Sequence, residues 1–259
     1  MNFIGEGTSK GNQTKFVIDG WFYKEDGMGY ESISEALVSE FLSFVDDIEY
    51  IDYYLEVVEK DGKSVECCKS KVYNTDNESF ISVGKILKVY GNKKDLSKLT
   101  GKALLEYVID CVYTSTGVDI RDYLRVLTYI DSLILNEDRH FYNICLIEKD
   151  SEYRVAPIFD NGLSLLSDTS QDYRYGVALD ILMRKVKCMP FVNSFDKQVK
   201  YFEHKPLVID IEDFYRKLDL IDRNLNDYIP FKQEGYLKAK QVLLKRLSEK
   251  EGVLWVREQ

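Results

Sequence analysis

The sequence is poor in the residues that build several common functional sites. It has two histidines, His140 and His204, and no Cys-x-x-Cys pair, which argues against a structural zinc site. It has no basic surplus either: 35 Lys and Arg stand against 44 Asp and Glu, a formal charge of −9. Nucleic-acid binders usually carry the opposite imbalance, so no direct nucleic-acid partner is expected. No apolar run approaches the roughly 18 residues of a membrane span, and the opening residues, MNFIGEGTSKGNQTK, hold no apolar signal core. Neither a membrane span nor a leader is expected. Proline is scarce, at four, with none before Pro157, and there is no internal repeat or low-complexity tract. The five cysteines are scattered and odd in number, and a bridge between the neighbours Cys67 and Cys68 would be strained, so no disulfide framework is expected. Free thiols suit a reducing compartment, and the expected location is cytoplasmic.

What is present fits an ordinary globular chain. At 259 residues, 45% hydrophobic and 31% charged, it can bury a sizeable core as one large domain or two lobes. Gly5 to Lys15, GEGTSKGNQTK, is a small polar segment of the kind whose backbone N–H groups can wrap phosphate oxygens; Gly11 is its candidate phosphate-contacting glycine. The β-rich runs Lys15-Phe16-Val17-Ile18 and Trp21-Phe22-Tyr23-Lys24 are separated by Asp19-Gly20, a strong signal for a two-residue hairpin turn. A helix follows from about Tyr30 to Phe44, its stripe marked by Ile33, Leu37, Phe41 and Phe44. Glu31 and Glu35 lie one turn apart on it. A second hairpin joins Tyr53–Glu59 to Ser64–Cys68 around Asp61-Gly62, and a hinge is expected at its exit, Cys68-Lys69-Ser70. Residues 71–100 are polar, with Phe80-Ile81-Ser82-Val83 a short strand. Helices are expected from Gly101, with Leu104, Leu105, Val108, Ile109 and Val112 inward, and over 121–135. Beyond residue 160, Leu163 to Gly176 reads as a polar loop. A helical C-terminal part ends on a stripe of Leu237, Val242, Leu243, Leu244 and Leu247.

The densest chemistry lies in Leu135 to Leu165, LNEDRHFYNICLIEKDSEYRVAPIFDNGLSL. Asp138 and Asn143 are five residues apart, as are the base and the metal-binding amide of the protein-kinase catalytic loop. Two apolar runs after Asn143, split by the polar Glu148–Glu152, read as a hairpin, which can return Asp160 toward Asn143. The chemistry needs that return: one group handles the acceptor hydroxyl, and two oxygen ligands hold magnesium against a triphosphate.

The order Asp138-Arg139-His140 then Asn143, D-R-H-x-x-N, resembles the catalytic loop of HipA-like kinases and of the phosphatidylinositol 3/4-kinase superfamily. The later Ile158-Phe159-Asp160-Asn161-Gly162 is similar to their metal-binding segment. The resemblance implies an α+β, two-lobed protein-kinase-like fold, with a small β-rich N-lobe at residues 1–95 and a larger helical C-lobe at 96–259. It implies ATP and Mg as cofactors and a protein Ser or Thr as acceptor, with Asp138 as the catalytic group and Asn143 and Asp160 on the metal. Lys24 is then the candidate for the α/β-phosphates, unless it is only a solvated strand-end lysine. Either Glu31 or Glu35 would orient it, and the sequence does not choose between them. His140 stands either as a phosphate-side group of the loop or as a structural histidine holding the turn. Arg139 reads as a loop brace, and Asp131 is implied to have a hydrogen-bonding role. Thr8 or Ser9 would be the site of autophosphorylation. The chain is shorter than full-length HipA toxins, which weakens the expectation of a DNA-binding antitoxin partner. A nucleotide-binding pseudokinase and a small-molecule or lipid kinase stay open as alternatives.

Overall fold

The computed structural model describes residues 13–72, 77–92, 96–170, 176–203, 205, 207–250 and 255–256. In chain order its strands are β1 Lys15–Ile18, β2 Trp21–Glu25, β3 Tyr54–Lys60, β4 Lys63–Lys71, β5 Ser79–Ser82, β6 Cys145–Lys149, β7 Glu152–Val155, β8 Val208–Ile209 and β9 Trp255–Val256. The helices are α1 Glu31–Leu42, α2 Val83–Tyr90, α3 Gly101–Thr116, α4 Arg121–Ile134, α5 Leu179–Lys185, α6 Phe195–Val199, α7 Ile211–Arg223, α8 Leu225–Tyr228 and α9 Gln233–Lys250. This is a mixed α/β protein with a small antiparallel sheet. The described residues form two compact units, one within Met1–Tyr73, Asp160–Val186 and Lys205–Gln259, the other within Asn74–Phe159 and Lys187–His204. Among the described residues no helix is long and apolar enough to cross a membrane, and all five cysteines are free.

The first unit is built on a four-stranded antiparallel sheet in the order β1-β2-β4-β3. Both of its tight turns are Asp-Gly pairs with positive φ at each residue: 48° and 78° at Asp19 and Gly20, 53° and 72° at Asp61 and Gly62. That backbone matches the twist of the flanking strands, and glycine adopts it without a Cβ penalty. Strand alternation sends Phe16 and Tyr23 to one face, where they stack at 5.0 Å and bury Cys67 between them and neighbouring side chains. It sends Lys24 to the other face, in register with Cys68. Helix α1 packs against β3, β4 and α9, burying Ile33, Leu37 and Phe41, and Phe41 meets Phe214 of α7 edge-on at 5.2 Å.

Two expectations are corrected in this unit. Cys68, Lys69 and Ser70 are not a hinge but lie inside β4, paired with Lys24, Tyr23 and Phe22, so the central strand uses their backbone groups. The segment after Gly162 is irregular, as its polar composition suggests, and its first part, Ser164, Leu165, Leu166, Ser167 and Asp168, is buried. The inward stripe of α9 is Tyr236, Ala239, Val242, Leu243 and Leu247, and Leu237 faces out.

The second unit holds a three-stranded sheet, β5-β6-β7, with helix α3 packed on α2 and helix α4 on α6. Helix α3 buries Leu104, Leu105, Val108, Ile109 and Val112, the stripe read from its periodicity. The strand expected over Phe80–Val83 stops at Ser82, whose hydroxyl accepts the Lys85 N–H at 3.2 Å and so caps α2. Val83 and Gly84 then donate their N–H groups to the carbonyls of Ile144 and Phe141, each at 2.8 Å. The start of α2 is thereby bonded to the turn that follows His140.

Candidate active site

Lys24 comes from β2, Glu35 from the middle of α1, and Asp160 from the segment that re-enters the first unit. The Lys24 ammonium donates to Glu35 Oε1 at 2.5 Å and to Asp160 Oδ1 at 2.8 Å. Lys24 and Glu35 are buried, while the Asp160 side chain is 19% exposed. The Tyr53 ring lies 4.8 Å from the ammonium, close enough for its electron-rich face to favour the cation. The Asn161 N–H donates to Glu35 Oε2 at 2.8 Å, so the residue after Asp160 also docks on α1. Gly162 permits that approach: a Cβ there would stand 3.3 Å from Glu31 Cβ and 3.4 Å from Glu35 Oε1.

The charges explain why the lysine stays protonated. Burial disfavours its ammonium, but the Asp160 and Glu35 carboxylates outweigh that and hold its pKa well above the ordinary lysine value. Burial pushes the Glu35 carboxyl up, Lys24 pulls it down, Asp160 pushes it up again, and the balance lies above the usual carboxylate range. Burial, with Glu35 nearby, likewise raises the Tyr53 phenol, keeping it neutral. Sequence reasoning left Glu31 and Glu35 as equal candidates. The structure puts Glu35 on Lys24, and Glu31 on the loop before α1, where it accepts the N–H groups of Gly27, Met28 and Gly29 at 3.0, 2.6 and 2.8 Å. Tyr53 was not singled out in the sequence, because its role depends on a neighbour across the fold.

In the second unit α4 ends on Leu135 in the left-handed region, φ 54°, and the turn that follows carries Asp138, Arg139 and His140. The Asp138 N–H donates to Asn136 Oδ1 at 3.0 Å. Asn143 Nδ2 donates to the Asp138 carbonyl at 3.0 Å. His140 Nε2 lies 3.8 Å from Asp138 Oδ2, the His140 N–H donates to the Asp138 carbonyl at 2.8 Å, and its ring stands edge-on to Tyr142. The structure thus brings Asp138, His140 and Asn143 together in one turn.

Arg139 is the frame of that turn and is among the largest fully buried side chains. Its guanidinium donates to both oxygens of Asp131, at 3.1 to 3.3 Å, to the Asn143 carbonyl at 3.3 Å and to the Phe159 carbonyl at 2.7 Å. One side chain ties the last turns of α4, Asn143 and the residue just before Asp160. Burial raises the Asp131 carboxyl and Arg139 opposes it. Gly11, Thr8 and Ser9 lie outside the described residues. Among the described residues no cluster of three or more His, Cys, Asp or Glu side chains is arranged to hold a metal. The donors expected for magnesium are instead a carboxylate and an amide oxygen, both of the hard oxygen type that ion prefers.

No family model matches the sequence, and no curated protein matches it. Solved structures do match. The proinflammatory kinase CtkA of Helicobacter pylori is similar over 94% of this chain and 90% of its own, with a TM-score of 0.56 and 16% identity. HipA, solved with HipB and operator DNA as a toxin–antitoxin system of Shewanella oneidensis MR-1, is similar over 97% of this chain and 67% of its own, with a TM-score of 0.50 and 11% identity. The chain therefore has the fold seen in these two solved proteins.

Proposed function

We propose that the protein is an ATP–Mg-dependent kinase that moves the γ-phosphoryl group to a Ser or Thr hydroxyl of a protein. The observation that carries this reading is a buried ammonium, Lys24, held by Glu35 and Asp160 in a kinase-like fold. Such an ammonium is rigid and permanently charged, which suits it to the α/β-phosphates. Asp160 and the Asn143 amide oxygen would hold magnesium, which when bound neutralises charge on the phosphates. Asp138 orients the acceptor hydroxyl and takes its proton as the new O–P bond forms and the β–γ bridge bond breaks, releasing ADP. His140, beside Asp138, steadies the turn from the phosphate side. In these terms residues 1–95 supply the nucleotide-holding lysine, glutamate and glycine loop, and residues 96–259 supply the catalytic loop and the metal ligands. Gly11 would cover the phosphates, and Thr8 or Ser9 would be the autophosphorylated hydroxyl.

The test is ATP–Mg binding followed by phosphotransfer to a generic Ser/Thr acceptor and to the protein itself. Asp138→Asn is expected to keep nucleotide affinity and to lose about 10²- to 10⁴-fold in turnover, the usual worth of a positioned proton acceptor. Asp160→Ala is expected to lose magnesium-dependent binding as well. Full phosphotransfer by both variants would defeat the assignment. Tight ATP binding by a wild-type protein that never transfers phosphate would make it a nucleotide-binding pseudokinase.

A further inference from the structure

The geometry points to Asp26, in the loop before α1, and Lys232, just before α9, as positioning residues: together they hold α1 in the register that keeps Glu35 on Lys24. For its consequence at ATP this rests on the kinase reading above; for its effect on Lys24 it does not. The Lys232 ammonium reaches Asp26 Oδ2, donates to the Gly29 carbonyl at 2.8 Å, and lies 3.7 Å from Glu66. The other Asp26 oxygen accepts the Ser32 N–H at 2.5 Å in the first turn of α1. Glu31 gathers the three amides of the same loop. Two carboxylates thus converge on a helix N-terminus, where they favour the helix dipole, and Lys232 pairs with one of them, Asp26. Glu35 is one turn further along the same helix.

Two further observations set this apart from an ordinary surface ion pair. Lys232 adopts φ 47°, a left-handed conformation that L residues seldom take and that glycine or asparagine would adopt more easily. The position therefore holds a lysine for the reach of its ammonium. Nor is there slack nearby: a Cβ on Gly235, one turn into α9, would lie 2.8 Å from Tyr30 Cβ at the entry to α1. On its other side the entry is bonded to the buried 164–167 segment, Tyr30 Oη and Ser34 Oγ donating to the carbonyls of Leu165 and Ser164, each at 3.0 Å. The pose of Glu35 is set within the unit by its own C-terminal helix.

Lys24 accessibility gives a readout that needs no ATP. Brief treatment with an amine-reactive reagent, followed by mass spectrometry, is expected to label Lys24 about tenfold faster in Lys232→Met than in wild type, the size of coupling seen between residues of one network. Lys232→Arg, which keeps the charge and the same backbone strain, should restore the wild-type rate. An unchanged Lys24 rate in Lys232→Met would overturn the proposal, and so would a rise no larger than the variant's loss of global stability in urea accounts for. In ATP–Mg titrations, the losses from Lys232→Met and Glu35→Gln should fail to add, the double variant binding no more weakly than Glu35→Gln alone; additive losses would show that Lys232 does not act through Glu35. A wild-type protein that binds no ATP would sink the kinase reading, while the labelling result would still decide this one.

Discussion

Each unit buries one cation of the chain among oxygen acceptors, and the two arrangements are closed to different degrees. Arg139 pairs with the Asp131 carboxylate and also donates to the Asn143 and Phe159 carbonyls. The paired side chains are 1% and 0% exposed. Lys24 faces two carboxylates, and one of them, Asp160, reaches solvent. A sealed ion pair fixes chain, whereas one open to water can exchange partners. That contrast separates an ion pair that holds structure from one that can respond to its surroundings, and each variant below tests it.

The largest expected effect is on the sealed pair. Arg139→Met would leave Asp131 buried and unpaired, which costs about 3–5 kcal/mol, read as a fall in the urea midpoint with unchanged slope. Adding Asp131→Asn should return much of that loss, because the orphaned charge goes with it. If Arg139→Met alone proved nearly neutral, Arg139 would not be the frame of the catalytic turn.

Lys24→Met should cost less, about 1–3 kcal/mol at pH 8, because Asp160 can turn to water and Glu35 can take up a proton. The sign with pH follows from Glu35. Burial already raises its pKa in the folded state, and without Lys24 the rise is larger, so the folded variant binds a proton that the unfolded chain releases near its ordinary pKa of about 4.3. Its stability should therefore fall as pH rises from about 4.3 through the raised value and level off above it. In wild type the Lys24 pairing contribution is present at neutral pH and is lost only as pH rises beyond about 10.4 through the raised lysine pKa. Thermal melts at pH 5 and pH 8 would check this; a variant equally stable at both would show that Glu35 does not feel the missing cation.

How much of this was legible in the chain depended on how local each cause is. Both Asp-Gly hairpins were readable because the turn residues alone dictate the backbone. The α3 stripe was readable because five apolar residues keep helical spacing over several turns. The D-R-H-x-x-N spacing marked a single compact turn, since Asn143 bonds the carbonyl of Asp138 within it. Helix α2 escaped notice: its buried residues Val83, Ile86 and Leu87 span little more than one turn, and Val89 and Tyr90 face solvent, so the polar tract around it hid its period. The choice of Glu35 over Glu31 needed the loop amides that occupy Glu31. Tyr53 and Lys232 matter through neighbours far along the chain, which spacing does not report.

The smallest effect on stability, and the sharpest on function, belongs to Asp160→Asn. Removing one of two carboxylates from a single ammonium leaves Lys24 paired with Glu35 and relieves the repulsion by which Asp160 pushes the Glu35 carboxyl up. The amide keeps an oxygen for the Lys24 ammonium. Stability should change by no more than about 1 kcal/mol, and in the direction of a gain, as is common where a functional group has been held against the interest of the fold. Magnesium-dependent ATP binding should be lost together, because an amide is a poorer ligand than a carboxylate for a hard divalent ion. Urea unfolding and ATP titration with and without magnesium measure the two halves. A loss of several kcal/mol with nucleotide binding intact would mean that the open cluster is structural after all, and the contrast with Arg139 would vanish.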